Sequence, residues 1–285
     1  MLDQAESLRR LVTGEESGEY KSKAKIITVT SGKGGVGKSN FVVNLAITLQ
    51  MQGKKVLIFD ADIGMGNDDV LMGVYPKYNV FDLIKGRKIE EVLVEGPCGV
   101  MLLPGGSGLN QVEDLQQEER EIFLNKLENL EGFDYILMDT GAGVNRSVLA
   151  FISCSEELII LTTPEPTSLT DAYSLIKATN HFKIKDKAKV VVNKAFTTEE
   201  GERTFNKFKR AVDRFLSIDI TYLGCILDDR KLVQSVREQK PFVLLYPNSD
   251  ASKSLKLIAS RILGDKTLGN IGAKGLFKKL LNIFS

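Results

Sequence analysis

Cysteine and histidine are scarce in this chain of 285 residues, which has three cysteines and one histidine. Cys98, Cys154 and Cys225 lie far apart and form no CxxC pair. This pattern offers no zinc or iron–sulfur framework and indicates a reducing compartment. An excess of one charge is also lacking, because the formal net charge is +1. Bulk binding of nucleic acid, which depends on neutralising phosphates, is therefore not expected.

Long hydrophobic runs are missing as well. The sequence has no stretch of about 18 apolar residues that could span a membrane. The N-terminal region is acidic and polar where a signal peptide needs an apolar core. These two observations predict a cytoplasmic protein.

Short apolar runs rich in β-formers do recur along the chain, with helix-length stretches between most of them. The runs are KIITVTS, KKVLIFDAD, GVMLLPGG, YILMDT, ELIILTT, KVVVNK and TYLGCILDD. Unbroken apolar strands that alternate with amphipathic helices predict an α/β fold with a mostly parallel central sheet of about seven or eight strands and helices on both faces. Functional loops then lie at the carboxyl ends of the strands.

The same pattern divides the chain into five parts. We expect an N-terminal amphipathic helix, a flexible linker, one α/β domain, a second linker and a C-terminal amphipathic helix. Their predicted bounds are 1–12, 13–24, 25–263, 264–273 and 274–285.

The first predicted strand runs directly into GKGGVGKSN, residues 32–40, and a helix-compatible stretch follows. Gly32 to Ser39 fits the phosphate-binding pattern G-x-x-x-x-G-K-[ST] in its strand–loop–helix context. Backbone N–H groups of such a loop point at phosphate oxygens, Lys38 reaches the β- and γ-phosphates, and the Ser39 hydroxyl is placed to ligate Mg²⁺. A glycine-rich turn without a ligand is the alternative. The predicted nucleotide-binding residues in this loop are Gly32, Gly34, Gly35, Val36, Gly37, Lys38, Ser39 and Asn40.

Lys33 adds information because the stretch KGGVGKS resembles the deviant Walker-A signature of the MinD/ParA family of ATPases. In that family this lysine reaches across a dimer interface to the nucleotide phosphates of the partner. The resemblance therefore implies a P-loop fold, a catalytic role for Lys33 and Lys38, and a homodimer that forms with ATP.

Further motifs follow the family order. FDADIGMGN resembles switch I, which implies a magnesium role for Asp60 and an attacking-water role for Asp62. YILMDTGAG resembles a Walker-B strand and implies that Asp139 binds Mg²⁺ through water. An acid at a strand end could instead cap a helix. VVNK brings Asn193 towards the base, and because Phe stands at position 196, the carboxylate of a guanine site is missing. ATP/ADP is therefore the expected nucleotide.

Two other stretches, DQAESLR at 3–9 and TTPEPTSLTDAYSLIK at 162–177, resemble the FlhG (YlxH/FleN) branch of this family. That resemblance implies regulation of flagellar number or placement, with an FlhF-like GTPase and flagellar basal-body or C-ring proteins as partners. The implied partner-activating residues are Asp3, Gln4, Ala5, Leu8 and Arg9.

Two alternatives remain open at this stage. One is a MinD-type regulator of the division site, and the other is a ParA-type partition ATPase that binds DNA. The best DNA-binding candidate, ERTFNKFKRAVDR at 202–214, has apolar spacing typical of a helix packed on the sheet, with Phe205, Phe208, Val212 and Phe215 on one side.

The C-terminal KGLFKKLLNIFS places its apolar side chains on one arc of a helix and its lysines on the other. Such a helix either lies in the surface of an anionic membrane, peripheral to the inner face of the cell membrane, or packs on the domain. Both can hold if the helix lies in a groove of the domain in one nucleotide state. The predicted membrane residues are Leu276, Phe277, Lys278, Lys279, Leu280, Leu281, Ile283 and Phe284.

Overall fold

A computed structural model describes residues 24–62, 66–106, 117–127, 130, 132–265 and 272–284. The predicted N-terminal helix and almost all of the predicted first linker therefore lie outside the described residues. Ala24, the last residue of that predicted linker, is buried in the core.

The centre of the fold is an eight-stranded sheet in the order β3-β4-β2-β5-β1-β6-β7-β8. Every pairing is parallel except the antiparallel contact of β3 with β4 at one edge. Seven strands coincide with the apolar runs of the sequence, and the eighth is the two-residue edge strand β3. The strands are β1 Lys25–Ser31, β2 Val56–Ala61, β3 Val94–Glu95, β4 Met101–Pro104, β5 Tyr135–Ala142, β6 Glu157–Thr162, β7 Lys187–Ala195 and β8 Asp219–Leu227.

Helices cover both faces of this sheet. Two short 3-10 helices, Val80–Leu83 and Pro97–Gly99, also occur in the described part of the chain. The α-helices are α1 Lys38–Met51, α2 Asp68–Met72, α3 Ile89–Val92, α4 Gln117–Leu127, α5 Arg146–Cys154, α6 Pro166–His181, α7 Thr198–Phe215, α8 Arg230–Arg237, α9 Phe242–Leu245, α10 Asp250–Gly264 and α11 Gly272–Phe284.

Successive strand residues enter different cores, as expected for a sheet covered on both sides. Ile27 and Ile58 pack with α1 and α10, whereas Ile26 and Leu57 pack with α5 and α11 on the other face. The α/β fold with a mostly parallel sheet and helices on both faces is confirmed.

The C-terminal helix α11 lies against the body of the protein. Leu276 and Phe277 are 0% and 3% exposed, and Leu280, Leu281 and Ile283 are also buried. The Phe277 ring packs edge-on against Phe59, with 5.1 Å between ring centroids. Amphipathic spacing thus places the apolar side of α11 in a core cluster. No helix in the described part of the chain has the length and apolarity needed to cross a membrane.

One packing prediction on α7 is wrong. Phe205, Phe208 and Val212 are buried as the spacing predicts, but Phe215 is 66% exposed. Phe215 is the last residue of α7, where the chain leaves the helix, and the Arg214 guanidinium lies 5.2 Å from its ring. The apolar period therefore ends one turn before the helix does.

Candidate functional site

The phosphate-binding loop connects β1 to α1 at the carboxyl edge of the sheet. Gly35 and Gly37 adopt the left-handed backbone conformation, with φ of 76° and 91°. A Cβ at Gly32 would lie 2.1 Å from the carbonyl carbon of Asp171, so neighbouring backbone also requires a glycine there. The loop shape predicted from the glycine spacing is therefore imposed by both backbone conformation and packing.

Side chains from β7 support this loop. Asn193 is buried, and its amide donates a 2.7 Å hydrogen bond to the carbonyl oxygen of Val36. Lys194 Nζ donates to the carbonyl oxygen of Gly35 at 2.9 Å. Asn193 thus lies at the site, where it holds the loop, while contact with the base stays a prediction.

An ion pair lies at the base of the loop. Lys38 Nζ is 2.7 Å from Asp139 Oδ1, and the two side chains are 8% and 1% exposed. Burial alone lowers the pKa of Lys38, but the neighbouring Asp139 carboxylate raises it above its ordinary value. Lys38 is therefore positively charged in the site.

Asp139 and Asp60 are placed side by side by the strand register. Asp60 on β2 is the direct partner of Asp139 on β5. Burial and the nearby Asp139 carboxylate raise the pKa of Asp60 to about 7. The Asp60 carboxylate accepts a 3.3 Å hydrogen bond from the Asp62 N–H, and burial also raises the pKa of Asp62. The three acids predicted from two separate motifs thus lie in one region around Lys38.

Asp68 is an acid of the same region that the sequence analysis missed. It opens α2 and is 0% exposed, and its carboxyl group lies near Asp139 and Asp60. Burial, Asp139 and Asp60 raise its pKa well above the ordinary value. In the sequence Asp68 is one of two adjacent acids at a helix start, a pattern that ordinarily indicates an exposed first turn.

These residues fit a magnesium site of the kind that nucleotides complete. Mg²⁺ is usually held by one or two carboxylates, substrate phosphates and waters. Asp60 and Asp139 supply neighbouring carboxylates, and Ser39 supplies a hydroxyl in the first turn of α1. Within the described residues no group of three or more His, Cys, Asp or Glu side chains could hold a metal by itself.

Lys33 lies at the mouth of the loop and is 42% exposed. Its ammonium group is 3.3 Å from Glu165 Oε2 and donates to Thr167 Oγ1 at 3.2 Å. Both contacts come from the start of α6, so Lys33 is held by its own subunit. The stretch at 162–177 carries these partners, but their contact with Lys33 depends on the placement of β6 next to β1.

The remaining predicted site residues divide into three groups. Gly34, Val36 and Asn40 lie in or directly after the loop. Residues 1–12, with the predicted partner-activating side chains, lie outside the described residues. The predicted membrane residues from Leu276 to Ile283 lie on α11, where the apolar ones are buried, Lys278 is half-buried and Lys279 is exposed.

Comparison with known proteins identifies the family of this chain. The model of the AAA domain family matches residues 24–192. The flagellum site-determining protein YlxH of Helicobacter pylori is 38% identical over 271 residues, which cover 92% of each chain. The antiactivator FleN of Pseudomonas aeruginosa is 36% identical over 240 residues, which cover 84% of this chain and 86% of FleN.

A structural relative shows the same arrangement of the whole fold. The septum site-determining protein MinD of Pyrococcus horikoshii, solved with Mg-ADP, matches with a TM-score of 0.65 and 25% identity over 85% of this chain and 96% of its own. The loop, the acids and the strand order described above therefore occur in a chain whose sequence matches these relatives over most of its length. The protein belongs to the AAA domain family and, within it, to the MinD/ParA-type ATPases with a deviant Walker-A loop.

Proposed function

We propose that the protein is a Mg²⁺-dependent ATP hydrolase that dimerises with ATP and regulates the number or placement of flagella. The observation that carries this proposal is the pair of lysines on one loop. Lys38 is buried against Asp139, whereas Lys33 is exposed at the loop mouth. One lysine serves the nucleotide of its own subunit, and the other, once it leaves Glu165, can reach a second subunit.

Binding of ATP requires Lys38 to exchange partners. Its ammonium group now bonds to Asp139, and phosphate oxygens are an alternative acceptor for it. The exchange would free Asp139, which together with Ser39 and Asp60 would hold Mg²⁺, in part through water. Mg²⁺ supplies neutralisation of the charge on the transferring phosphoryl group. Asp62, which lies over Gly141 near Asp139, orients or deprotonates the attacking water.

Dimer formation is tested with two variants. Asp62→Ala is expected to keep ATP and accumulate as a dimer because hydrolysis is blocked. Lys38→Ala is expected to stay monomeric because the phosphates are not held. Multi-angle light scattering with ATP and with ADP measures both, and an Asp62→Ala protein that stays monomeric in ATP contradicts the assigned role.

We further propose that α11 alternates between the domain and an anionic membrane. Five apolar side chains of α11 are buried in the described state. Each contributes roughly 1.5–3 kcal/mol on full burial in an apolar environment. The docked state therefore competes directly with insertion into a bilayer, and two helices on one ATP-bound dimer gain from bivalency.

The path from nucleotide to helix is short. Phe59 contacts Phe277 of α11, and the next residue along β2 is Asp60. Arg146, at the start of α5, donates a 2.9 Å hydrogen bond to the carbonyl oxygen of Ile283. Since α5 follows β5 after residues 143–145, we expect changes at Asp60 or Asp139 to act on residues that touch α11. These contacts support control of helix docking by the nucleotide.

Membrane binding is tested by sedimentation of the full chain with vesicles of phosphatidylglycerol or of phosphatidylcholine. We expect co-sedimentation with the anionic vesicles in ATP, less in ADP, and a decrease with added salt. Lys278→Glu is expected to weaken binding, and Lys207→Glu on α7 is the control. Equal binding in both nucleotide states contradicts the proposed switch.

The flagellar role rests on the relatives named as a flagellum site-determining protein and an antiactivator. By the resemblance of residues 3–9, we propose that this segment stimulates an FlhF-like GTPase, with Gln4 at the partner nucleotide and Leu8 docked as part of a helix. Basal-body or C-ring proteins are the proposed further partners.

The GTPase rate of such a partner, measured with wild type and with Gln4→Ala, tests this step. We expect stimulation by the wild type and its loss in the variant, with Gln52→Ala as the control. A MinD-type division regulator gives no stimulation, and a partition ATPase instead gives ATP-dependent DNA binding with a steep salt dependence.

A further inference from the structure

A cavity lies at the amino-terminal edge of the sheet, opposite the phosphate-binding loop. Its volume is about 590 Å³, within the range of small-molecule sites. The wall includes the first residues of β1, β6 and β7, the end of α5, and Lys279 from α11. We call it the basal cavity.

The basal cavity carries an excess of positive charge. Its wall contains five lysines against three carboxylates. The lysines are Lys25, Lys185, Lys187, Lys189 and Lys279, and the acids are Glu156, Glu157 and Asp265.

The three carboxylates form ion pairs or hydrogen bonds with groups close to the cavity. Glu157 pairs with Lys25 at 2.7 Å and also with Lys189, and Asp265 lies 2.8 Å from Lys189. Glu156 accepts a 2.9 Å hydrogen bond from the Ile26 N–H. Among the described residues, no ion pair is formed by Lys185, Lys187 or Lys279. The excess charge is therefore concentrated on these three lysines.

Two of these lysines, half-buried Lys185 and exposed Lys279, lie in the same wall and their charges repel each other. The Lys185 ammonium group donates to the carbonyl oxygen of Ser155, at the end of α5. Burial and then the charge of Lys279 lower the pKa of Lys185 to about 8. A carbonyl dipole offsets only part of a buried ammonium charge. An anion between the two lysines removes their repulsion and supplies acceptors for both.

We propose that the basal cavity binds a phosphate-bearing anion between Lys185, Lys187 and Lys279. Lysine ammonium groups bind phosphate oxygens through charge-assisted hydrogen bonds and impose no fixed planar geometry. The phosphate group can belong to a soluble metabolite or to a lipid headgroup. Because Lys185 belongs to the domain and Lys279 to α11, the ligand bridges the two. Anion binding and docking of α11 therefore favour each other by linkage.

Binding is tested on the full chain saturated with Mg-ADP, so that the P-loop is occupied. Inorganic phosphate is titrated and followed by calorimetry for wild type, Lys185→Met and the exposed control Lys177→Met. We expect at least tenfold weaker binding in Lys185→Met and less than a twofold change in Lys177→Met. If phosphate instead binds beside ADP in the P-loop, its affinity is the same in Lys185→Met and wild type. An unchanged ADP affinity shows that the variant is folded.

The source of the phosphate is decided with vesicles of phosphatidylglycerol in phosphatidylcholine. Loss of inorganic phosphate binding in Lys185→Met supports a soluble ligand. Vesicle binding that falls tenfold in Lys185→Met, with no phosphate effect, supports a lipid headgroup. If neither probe distinguishes Lys185→Met from Lys177→Met, the basal cavity is not an anion site.

Linkage to α11 has its own readout. Hydrogen exchange of the backbone amides in residues 276–284 is expected to slow at least threefold when the identified probe binds wild type, and not in Lys185→Met. Probe binding without such slowing overturns the bridging role. Neither measurement depends on dimerisation, so failure of the proposed function and failure of this site are distinguishable.

Discussion

Lys33 Nζ lies 3.3 Å from Glu165 Oε2, so the lysine of the deviant loop is paired within its own subunit. The contact joins the P-loop to the start of α6, and Thr167 adds a second acceptor for the same ammonium group. A lysine that acts on the nucleotide of a partner subunit must first leave Glu165.

Replacement of Glu165 by Gln is therefore expected to favour the ATP-bound dimer. An exposed ion pair contributes about 0–1 kcal/mol and dimer formation breaks two of them, so the dimer dissociation constant falls by up to about thirtyfold. Analytical ultracentrifugation with ATP measures the constant, and Glu199→Gln on α7 is the control. A weaker dimer in Glu165→Gln shows that the carboxylate supports the interface instead.

The Lys38–Asp139 pair predicts a stability effect that is separate from activity. Lys38→Met leaves a carboxylate without its cation in a buried region, which costs about 3–5 kcal/mol in comparable cases. Lys33→Met removes a half-exposed charge and is expected to change the free energy of unfolding little. Urea unfolding without nucleotide measures both, and equal losses contradict the structural difference between the two lysines.

Asp68→Asn is expected to stabilise the protein without Mg²⁺ or nucleotide. Asp68 is buried near Asp139 and Asp60, and burial and these two acids raise the pKa of its carboxyl well above the ordinary value. A neutral side chain of the same shape removes charge repulsion, with a gain of roughly 1 kcal/mol in the free energy of unfolding. Thermal unfolding in EDTA measures the gain against Asp69→Asn, and destabilisation by Asp68→Asn refutes it.

Removal of residues 274–285 is expected to damage the domain as well as the tail. The deletion uncovers Phe59, Phe123 and Phe151, which α11 now helps to bury. Exposure of this cluster lowers the melting temperature and increases light scattering of the truncated protein. The full-length Lys278→Glu variant is the better comparison in membrane experiments. A truncated chain with unchanged melting temperature contradicts stable docking of α11.

The lowered pKa of Lys185 predicts that the free energy of unfolding depends on pH. Its pKa is about 8 in the folded protein against 10.5 for an ordinary lysine, so the unfolded chain binds more protons between these values. The contribution of Lys185 to the free energy of unfolding is therefore unfavourable below pH 8 and rises towards zero by pH 10.5. Groups that interact with it are Lys279 on α11, Cys154 on α5, Glu156 and Asp186.

Urea unfolding of wild type and Lys185→Met across this pH range isolates the effect. We expect wild type to gain stability relative to the variant as pH rises. A constant difference between the two proteins shows that Lys185 titrates normally.

Much of the nucleotide site follows from sequence alone. The glycines of residues 32–37 permit the left-handed conformations and close backbone approach of the loop, and Lys38 and Ser39 follow them at fixed spacing. Unbroken apolar runs identify seven of the eight strands because burial on both faces leaves no polar alternation. Asp60 and Asp139 could be placed in one site because each follows the apolar run of a separate strand in a parallel sheet.

Other features depend on contacts between distant segments. Glu165 meets Lys33 only because β6 lies beside β1. Asp68 is buried where α2 packs at the site, although its neighbours in sequence are polar. The lysines of the basal cavity come from segments as far apart as residues 25 and 279.

For α11, the sequence by itself determined an amphipathic helix, because local spacing places its apolar residues on one side. It did not determine what covers that side. Burial of the same Leu and Phe side chains is favourable both in a bilayer and in a protein core, so the sequence pattern is identical for the two environments. Only the tertiary structure provides the groove formed by Phe59, Phe123 and Phe151, and with it the docked state of the helix.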